Sequence, residues 1–491
     1  MKKKPLSELL DARLNVNISG LQYDSRKVQK GDLFFAVPGF LEDGAKYLKD
    51  AFARGAAAAV VKAGTKIDPS FASLCLEVDD VRQAMADVAQ KFYDYPGKKV
   101  KLFGVTGTKG KTSTAYLLES IFRAAGQRTA ILGTVECRHP GRSYPSHHTT
   151  REAIDLQQFL AECVEERVES VVLEVSSHAL SLDRVRGCEF DGVIFTNLSP
   201  DHMDFYQTME PYYSAKKLLF QSPYRKESTV AVVNADDDYG QRLEKEAPGR
   251  WLSFGKERGA LRIKDAKVEE RGAWIDLTTP SGAVARLQSQ IPGEFTFSNI
   301  AAAATLALGV GVPVAQVQKG IQSLNGVPGR LERVPTKLPF SVFVDFAHSG
   351  HALDNVLTAL RSVCRGKLIV VFGAGGDKDP ARRTTQGKVA AEKADFSVIT
   401  SDNPRSEDPL KIIAAIETSF TASGGRHLIV EPDRRFAIRR ALTMAAAGDV
   451  ICLAGKGHET GQIIGTEVIP FDDREEAGLV LRELESAPPR N

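Results

Sequence analysis

The stretch GVTGTKGKTSTAYLLESIF, residues 104–122, runs a buried strand into a glycine loop and then an amphipathic helix. Gly107, Gly110, Lys111 and Thr112 fall at the join. The backbone N–H groups of such a loop, with a helix N-terminus behind them, cradle phosphate, and the lysine reaches the terminal phosphates. A threonine hydroxyl at this place suits Mg2+. The spacing departs from the Walker form, which asks for glycine where Val105 stands. A glycine turn that merely opens a helix is the plainer alternative. Gly-Lys-Thr between a strand and a helix favours nucleotide phosphate, with Gly107, Thr108, Lys109, Gly110, Lys111, Thr112 and Ser113 as its cradle.

Other chemically able residues collect where strands finish. LEVSSHAL puts Glu174 at a strand end, and FTNLSPDHMDFY does the same for Asp201 and His202. Mg2+ prefers oxygen ligands, so Glu174 suits it better than His202, which by itself reads as a hydrogen-bonding loop residue. In YYSAKKLLF, spacing alone puts Lys216 and Lys217 in solvent on a helix. Residues 401–409, SDNPRSEDP, follow the strand ADFSVIT with a turn. Asn-Pro explains the turn. It does not explain why Asp402, Asn403 and Arg405 gather on it.

The elements that must position these groups alternate strand, polar loop and helix, the pattern of a parallel α/β sheet. Three domains are expected, as length alone suggests for 491 residues. A mixed α/β domain spans 1–98 and ends at YDYPGKK. A central phosphate-loop domain, 99–330, is built on VKLFGVT, RTAILGT, ESVVLEVSS, DGVIFTNL and STVAVVNAD, with a strand-rich piece and an Ala-rich helix after Asn299. A Rossmann-like domain, 331–491, carries SVFVDFAH, KLIVVFGAGG, DFSVITSDNPR, HLIVEPDRR and DVICLAGKGHE. Ligands bind outside the carboxyl ends of such strands, so five polar loops there imply a second site.

Composition narrows the class. With 64 basic and 62 acidic residues the net charge is +2, which argues against a general nucleic-acid surface. The six cysteines have no paired spacing and read as reduced thiols of a cytoplasmic protein. MKKKPLSELLDARLN has no apolar stretch behind its lysines, so no signal peptide is expected. The Ala/Gly-rich run near residue 300 falls short of the ~18 apolar residues of a membrane span.

In order along the chain, TGTKGKTS, LEVSSHAL, NLSPDHMDFY, AKKLLF, GRLERV, DFAH, DNPR and GKGHE resemble the Mur ligases of peptidoglycan synthesis, and YDSRKVQKGDLFFAVPG extends the likeness to the N-terminal domain. The resemblance implies an ATP- and Mg2+-dependent ligase whose first domain binds the UDP end of its substrate. It implies amide formation between the D-glutamyl carboxylate of UDP-N-acetylmuramoyl-L-alanyl-D-glutamate and meso-diaminopimelate, in a cytoplasmic monomer. It also implies that Lys216 is carbamylated and joins Thr112, Glu174 and His202 around the metal. Asn299, Arg330, Asp345 and His348 are then expected on the nucleotide. Ser25, Phe40, Leu41 and Glu42 are expected near the uracil, and Thr149, Thr150, Ser176 and Arg184 on the rest of the UDP substrate. Lys378, Asp402, Asn403, Arg405, Gly455 and Glu459 are expected on the diamino acid.

The chain departs from the family pattern at Lys109, Leu182, Lys378 and the Ser349-Gly350-His351 segment. At 378 the family commonly has arginine; lysine keeps the charge but loses the bidentate fork. Competing readings are the same ligase using L-lysine, a folylpolyglutamate-synthase-like ligase, and a nucleotide-driven switch. A dinucleotide oxidoreductase is disfavoured because GAGGDKD lacks the third glycine.

Overall fold

The computed structural model describes residues 3–11, 14–39, 43–146, 148–247, 249–269, 272–278 and 281–486. It divides into two units. The first comprises residues 1–262 with 279–283 and 301–320; the second comprises 263–278, 284–300 and 321–491.

Besides a two-stranded antiparallel pair, Lys4–Pro5 with Asn17–Ile18, the first unit holds two larger sheets. The smaller is parallel, in the order β1 (Gly20–Gln22), β2 (Asp32–Phe35), β3 (Ala58–Lys62), β4 (Cys75–Val78). Its two central strands are buried on both faces, as a covered parallel sheet requires. Leu33, Phe35 and Val60 pack with Met85 and Val88 of helix Val81–Phe92, while Phe34, Ala59 and Val61 pack with Leu48 and Ala51.

The larger sheet centres on β5 (Lys101–Thr106), which feeds the phosphate loop and helix α1 (Lys111–Ala124). β6 (Thr129–Leu132) is followed by two antiparallel edge strands, β7 (Glu136–His139) and β8 (Arg142–Pro145). β9 (Ser170–Glu174), β10 (Phe190–Phe195), β11 (Arg225–Asn234) and β12 (Arg250–Gly255) complete the order 8-7-6-9-5-10-11-12. β5 lies between β9 and β10, parallel to both. The register sets Glu174 beside Val105 and Phe195 beside Thr106, so three strand ends stop level at one edge. That edge is where a parallel sheet binds ligands.

In the second unit an antiparallel meander, β13 (Leu261–Glu269), β14 (Gly272–Thr278) and β15 (Val284–Ser289), accounts for the strand-rich piece. The Ala-rich helix begins at Phe295, ahead of Asn299. A six-stranded sheet follows in the order β16 (Glu332–Val334), β17 (Ser341–Asp345), β21 (Val450–Ala454), β18 (Leu368–Phe372), β19 (Phe396–Ile399), β20 (Leu428–Val430), parallel except for β16. Apolar cores cover both its faces. Hairpin β22–β23 (Gly461–Ile464, Glu467–Pro470) lies outside this sheet. Among the described residues no helix is long and apolar enough to cross a membrane.

Candidate functional site

At the edge above β5, Gly107 has φ +146°, and a Cβ there would come within 1.9 Å of Thr196 Oγ1. Only glycine fits that approach. Gly110, at φ +82°, turns the chain into α1. The segment after β10 laces the loop down. Thr108 N donates to Asn197 O at 2.9 Å, Lys109 N to Asn197 Oδ1 at 3.0 Å, and Thr196 Oγ1 to Lys109 O at 2.6 Å. Thr196 and Asn197 thus fix the shape of the glycine loop, which the sequence motifs named without them. Lys111 Nζ lies 3.0 Å from the carbonyls of both Gly107 and Thr108.

Glu174 is fully buried and accepts from Thr112 Oγ1 at 2.8 Å. Lys216 corrects its own spacing: it is 1% exposed, not solvated. Helix Met209–Lys217 turns it inward, where its Nζ donates to Gly107 O at 2.9 Å and lies 4.7 Å from the centre of the Tyr212 ring. Burial, and then the neighbouring Lys111 ammonium, hold its amine well below the usual lysine range. Lys217 is the half-exposed one and pairs with Glu246 at 2.8 Å. His202 stands at the N-cap of a short helix, Met203–Tyr206, with φ +56°, rather than at a strand end. Its ring is 4.8 Å from that of His178.

The Thr149–Arg184 group comes together in the same unit. Thr150 Oγ1 donates to Glu174 O at 2.7 Å and accepts from Ser176 N at 3.1 Å. Arg184 donates to Thr150 O at 3.1 Å and pairs with Glu152 at 2.8 Å, while its buried Nε meets no partner. An orphaned guanidinium N–H fits an anionic ligand. Ser25 is buried in the turn after β1. Phe40, Leu41 and Glu42 lie outside the described residues.

Among the described residues, no three His, Cys, Asp or Glu side chains converge as a metal cage. The expected set contains only two such residues, Glu174 and His202. It fits a hard cation if Lys216 becomes a carbamate, since Thr112, Glu174 and that group then supply oxygens. The neutral amine is the form that reacts with CO2, and burial shifts Lys216 toward it.

In the second unit, Asp345 at the end of β17 accepts from Leu331 N at 2.7 Å. Burial pushes its carboxyl up to about 6 against the opposing pull of Arg330. The Arg330 guanidinium lies 5.2 Å from the Phe346 ring centre, with its buried Nε unpartnered. His348 Nδ1 is 2.8 Å from Phe346 O. Asn299 is buried on helix Phe295–Gly309.

The turn after β19 divides in two. Asp408 caps the next helix, Pro409–Ala422, by accepting from Leu410 N at 2.9 Å. Asp402, Asn403, Pro404 and Arg405 take no part in that cap. A surface pair of Arg405 with Glu407 or Asp408 is ruled out, because Glu407 is held by Arg383 at 2.7 Å and Asp408 is the cap. Arg405 sits at φ +52° and donates instead to Gly376 O at 2.8 Å. Its guanidinium and Lys378 both border Gly375, whose added Cβ would be 2.9 Å from Arg405 Nη1 and 3.8 Å from Lys378 Cγ. Gly455 has φ +115°, and a Cβ there would lie 2.4 Å from Asp402 Oδ2.

Glu459 has partners within the protein and does not stand ready for an ammonium alone: Asn403 Nδ2 donates to it at 2.8 Å and Lys456 Nζ at 3.2 Å. Lys456 is fully buried and also reaches Asn403 Oδ1 at 3.0 Å. Sequence reading quoted this lysine within GKGHE without giving it a role; its burial was the missing signal. Hairpin β22–β23 holds the turn, with Ile463 N donating to Asn403 Oδ1 and Gln462 Nε2 to Asp402 O.

A strand–glycine loop–helix unit on one parallel sheet, and polar loops carrying Arg405, Lys378 and Glu459 beyond the strands of another, are the layout of a nucleotide-dependent enzyme of the α/β class. Models of the Mur ligase middle domain, the Mur ligase glutamate ligase domain and the Mur ligase family catalytic domain match residues 105–307, 329–457 and 17–93. The UDP-N-acetylmuramoyl-L-alanyl-D-glutamate–2,6-diaminopimelate ligase of Synechococcus elongatus is 43% identical, with 97% of this chain and 96% of that protein covered. The ligase of the same name from Solibacter usitatus is 42% identical, with 95% and 94% covered. A solved structure of a ligase of that name superposes with a TM-score of 0.68 at 29% identity, covering 99% of this chain and all of the other. The chain belongs to the Mur ligase family.

Proposed function

We propose that this chain is an ATP-dependent, ADP-forming amide ligase that adds meso-diaminopimelate to the D-glutamyl carboxylate of UDP-N-acetylmuramoyl-L-alanyl-D-glutamate. The observation that carries the reading is likeness along almost the whole length to ligases named for that substrate pair. Both sites are consistent with it. A folylpolyglutamate-synthase-like activity lacks that support.

The loop from Gly107 to Ser113 cradles the ATP phosphates, and Lys111 matches charge developing on the γ-phosphoryl group as it passes to the carboxylate. Such transfer is chiefly positioning and electrostatics. The product is an acyl phosphate, which the amine of the diamino acid attacks as phosphate leaves. Thr112, Glu174, His202 and carbamylated Lys216 would hold Mg2+, which when bound screens the two anions from each other. Thr149, Thr150, Ser176 and Arg184 orient the UDP substrate. Asn299, Arg330, Asp345 and His348 serve the nucleotide. Arg405 and Asn403 take the distal carboxylate of the diamino acid, Lys378 the proximal one, and Glu459 beside Gly455 the distal ammonium, its charge tempered by Lys456. We place the reaction in the cytoplasm, as a monomer's step in wall synthesis that serves cell shape and division.

Phosphate release measured over a panel of amino acids tests this. It should require ATP, the UDP-dipeptide and a diamino acid together, with meso-diaminopimelate preferred over L-lysine. Release without an amino acid would instead indicate a switch or hydrolase.

A further inference from the structure

Thr134, in the bend after β6, belongs to neither group of expected site residues, yet it touches both. Its backbone N donates to Glu174 Oε1 at 2.8 Å, and its Oγ1 lies 3.1 Å from Glu174 Oε2 and 3.0 Å from Thr149 Oγ1. The preceding residue must be glycine for this clamp to close, since a Cβ at Gly133 would stand 2.2 Å from Glu174 Oε1. We infer that Thr134 is a positioning residue that couples the UDP-substrate loop at Thr149 to the metal-facing carboxylate of Glu174.

The direction follows from counting protons. A carboxylate only accepts, so the single Thr134 hydroxyl proton goes to Glu174. The bond between the two threonines is then made with the Thr149 proton, giving a chain that runs Thr149 to Thr134 to Glu174. Each donor in such a chain strengthens the next and draws charge from the carboxylate at its end. A substrate anion at Thr149 is also acceptor-only and takes the Thr149 proton for itself. Thr134 then becomes a weaker donor, and Glu174 keeps more charge for a cation. Binding of the UDP substrate therefore raises affinity for the magnesium nucleotide, and linkage makes the effect reciprocal. One neutral hydrogen bond sets its size at roughly two- to tenfold. The inference rests on the proposed roles of Thr149 and Glu174.

Calorimetric titration of a non-hydrolysable ATP analogue with Mg2+, with and without saturating UDP-N-acetylmuramoyl-L-alanyl-D-glutamate, reads the coupling directly. In the unaltered chain the affinity should rise roughly two- to tenfold when the UDP substrate is present. Thr134→Val, which keeps the backbone donor, should bring that ratio to about one, and Thr134→Ser should restore it. Thr149→Val cuts the same chain from its other end, so it should also remove the coupling and keeps the test decisive if Thr134→Val fails to fold. A ratio of one or less in the unaltered chain, or a Thr134→Val ratio equal to the unaltered one, overturns the inference. Failure of the unaltered chain to bind the UDP substrate at all would instead strike the functional reading, and the inference with it.

Discussion

Lys111 and Lys216 both reach the carbonyl of Gly107, but Lys216 is fully buried and Lys111 is half-buried. On the proposed reading, Lys111→Ala removes the charge that meets the γ-phosphoryl group. Turnover should be lost while circular dichroism and the melting temperature stay close to the unaltered chain. Lys216→Ala should be inactive and partly rescued by short carboxylates, whereas Lys217→Ala deletes only a half-exposed ion pair, worth ~0–1 kcal/mol, and should keep its activity. Rescue absent from Lys216→Ala, with unmodified Lys216 found by mass spectrometry in active protein, would exclude the carbamate. Asp345 gives a prediction in pH. Its folded value of about 6 exceeds the ordinary 3.8, so the folded chain holds the extra proton between those limits. Its contribution is thus most favourable at low pH and is lost as pH rises from roughly 4 to 6. Asp345→Asn avoids the buried charge, so its melting temperature relative to the unaltered chain should climb over that window and level off above it, by up to ~3 kcal/mol of stability. A difference that stays flat with pH would show that the carboxyl is not held up.

At the scale of elements, Arg434 and Asp473 join two helices, Arg434–Met444 and Asp473–Ser486, through a fully buried bidentate pair at 2.6 and 2.7 Å. Arg434→Met leaves a buried carboxylate alone and should cost about 3–5 kcal/mol in chemical denaturation, while adding Asp473→Leu should recover most of the loss. Neither effect was visible in sequence, because Arg434 falls in the polar loop of HLIVEPDRR and its partner Asp473 lies 39 residues further along the chain. The parallel strands were legible, since VVL, GVIF and LIVVF are apolar runs followed by polar or turn residues. Short or polar strands were not: ECRH and RSYP at the edge of the larger sheet, and the exposed hairpin GQII–EVIP, carry no alternation strong enough to mark them. The site shows the same division. Loop residues with special backbone needs, such as Gly107 and Gly455, could be found by motif. Thr196, Asn197, Thr134 and Lys456 act through hydrogen bonds made only after strands from distant segments align.

At the scale of the whole molecule, the reading requires two substrate sites in one chain to serve one product. For the amino-acid site, the discriminating group is Arg405. Losing one charge-assisted bond to the distal carboxylate should lower use of meso-diaminopimelate by roughly ten- to a hundredfold, because such a bond is worth ~1.5–3 kcal/mol. Arg405→Ala should therefore shift kcat/KM for this amino acid while leaving ATP binding intact; an unchanged value would mean that the turn reads something else. The most direct measurement is mass spectrometry of the product formed from ATP, Mg2+, UDP-N-acetylmuramoyl-L-alanyl-D-glutamate and equal amounts of meso-diaminopimelate and L-lysine. The account predicts one new species, heavier than the UDP-dipeptide by meso-diaminopimelate less one water, formed in step with ADP and phosphate. ADP release without any heavier species, or a product that carries lysine instead, would contradict it.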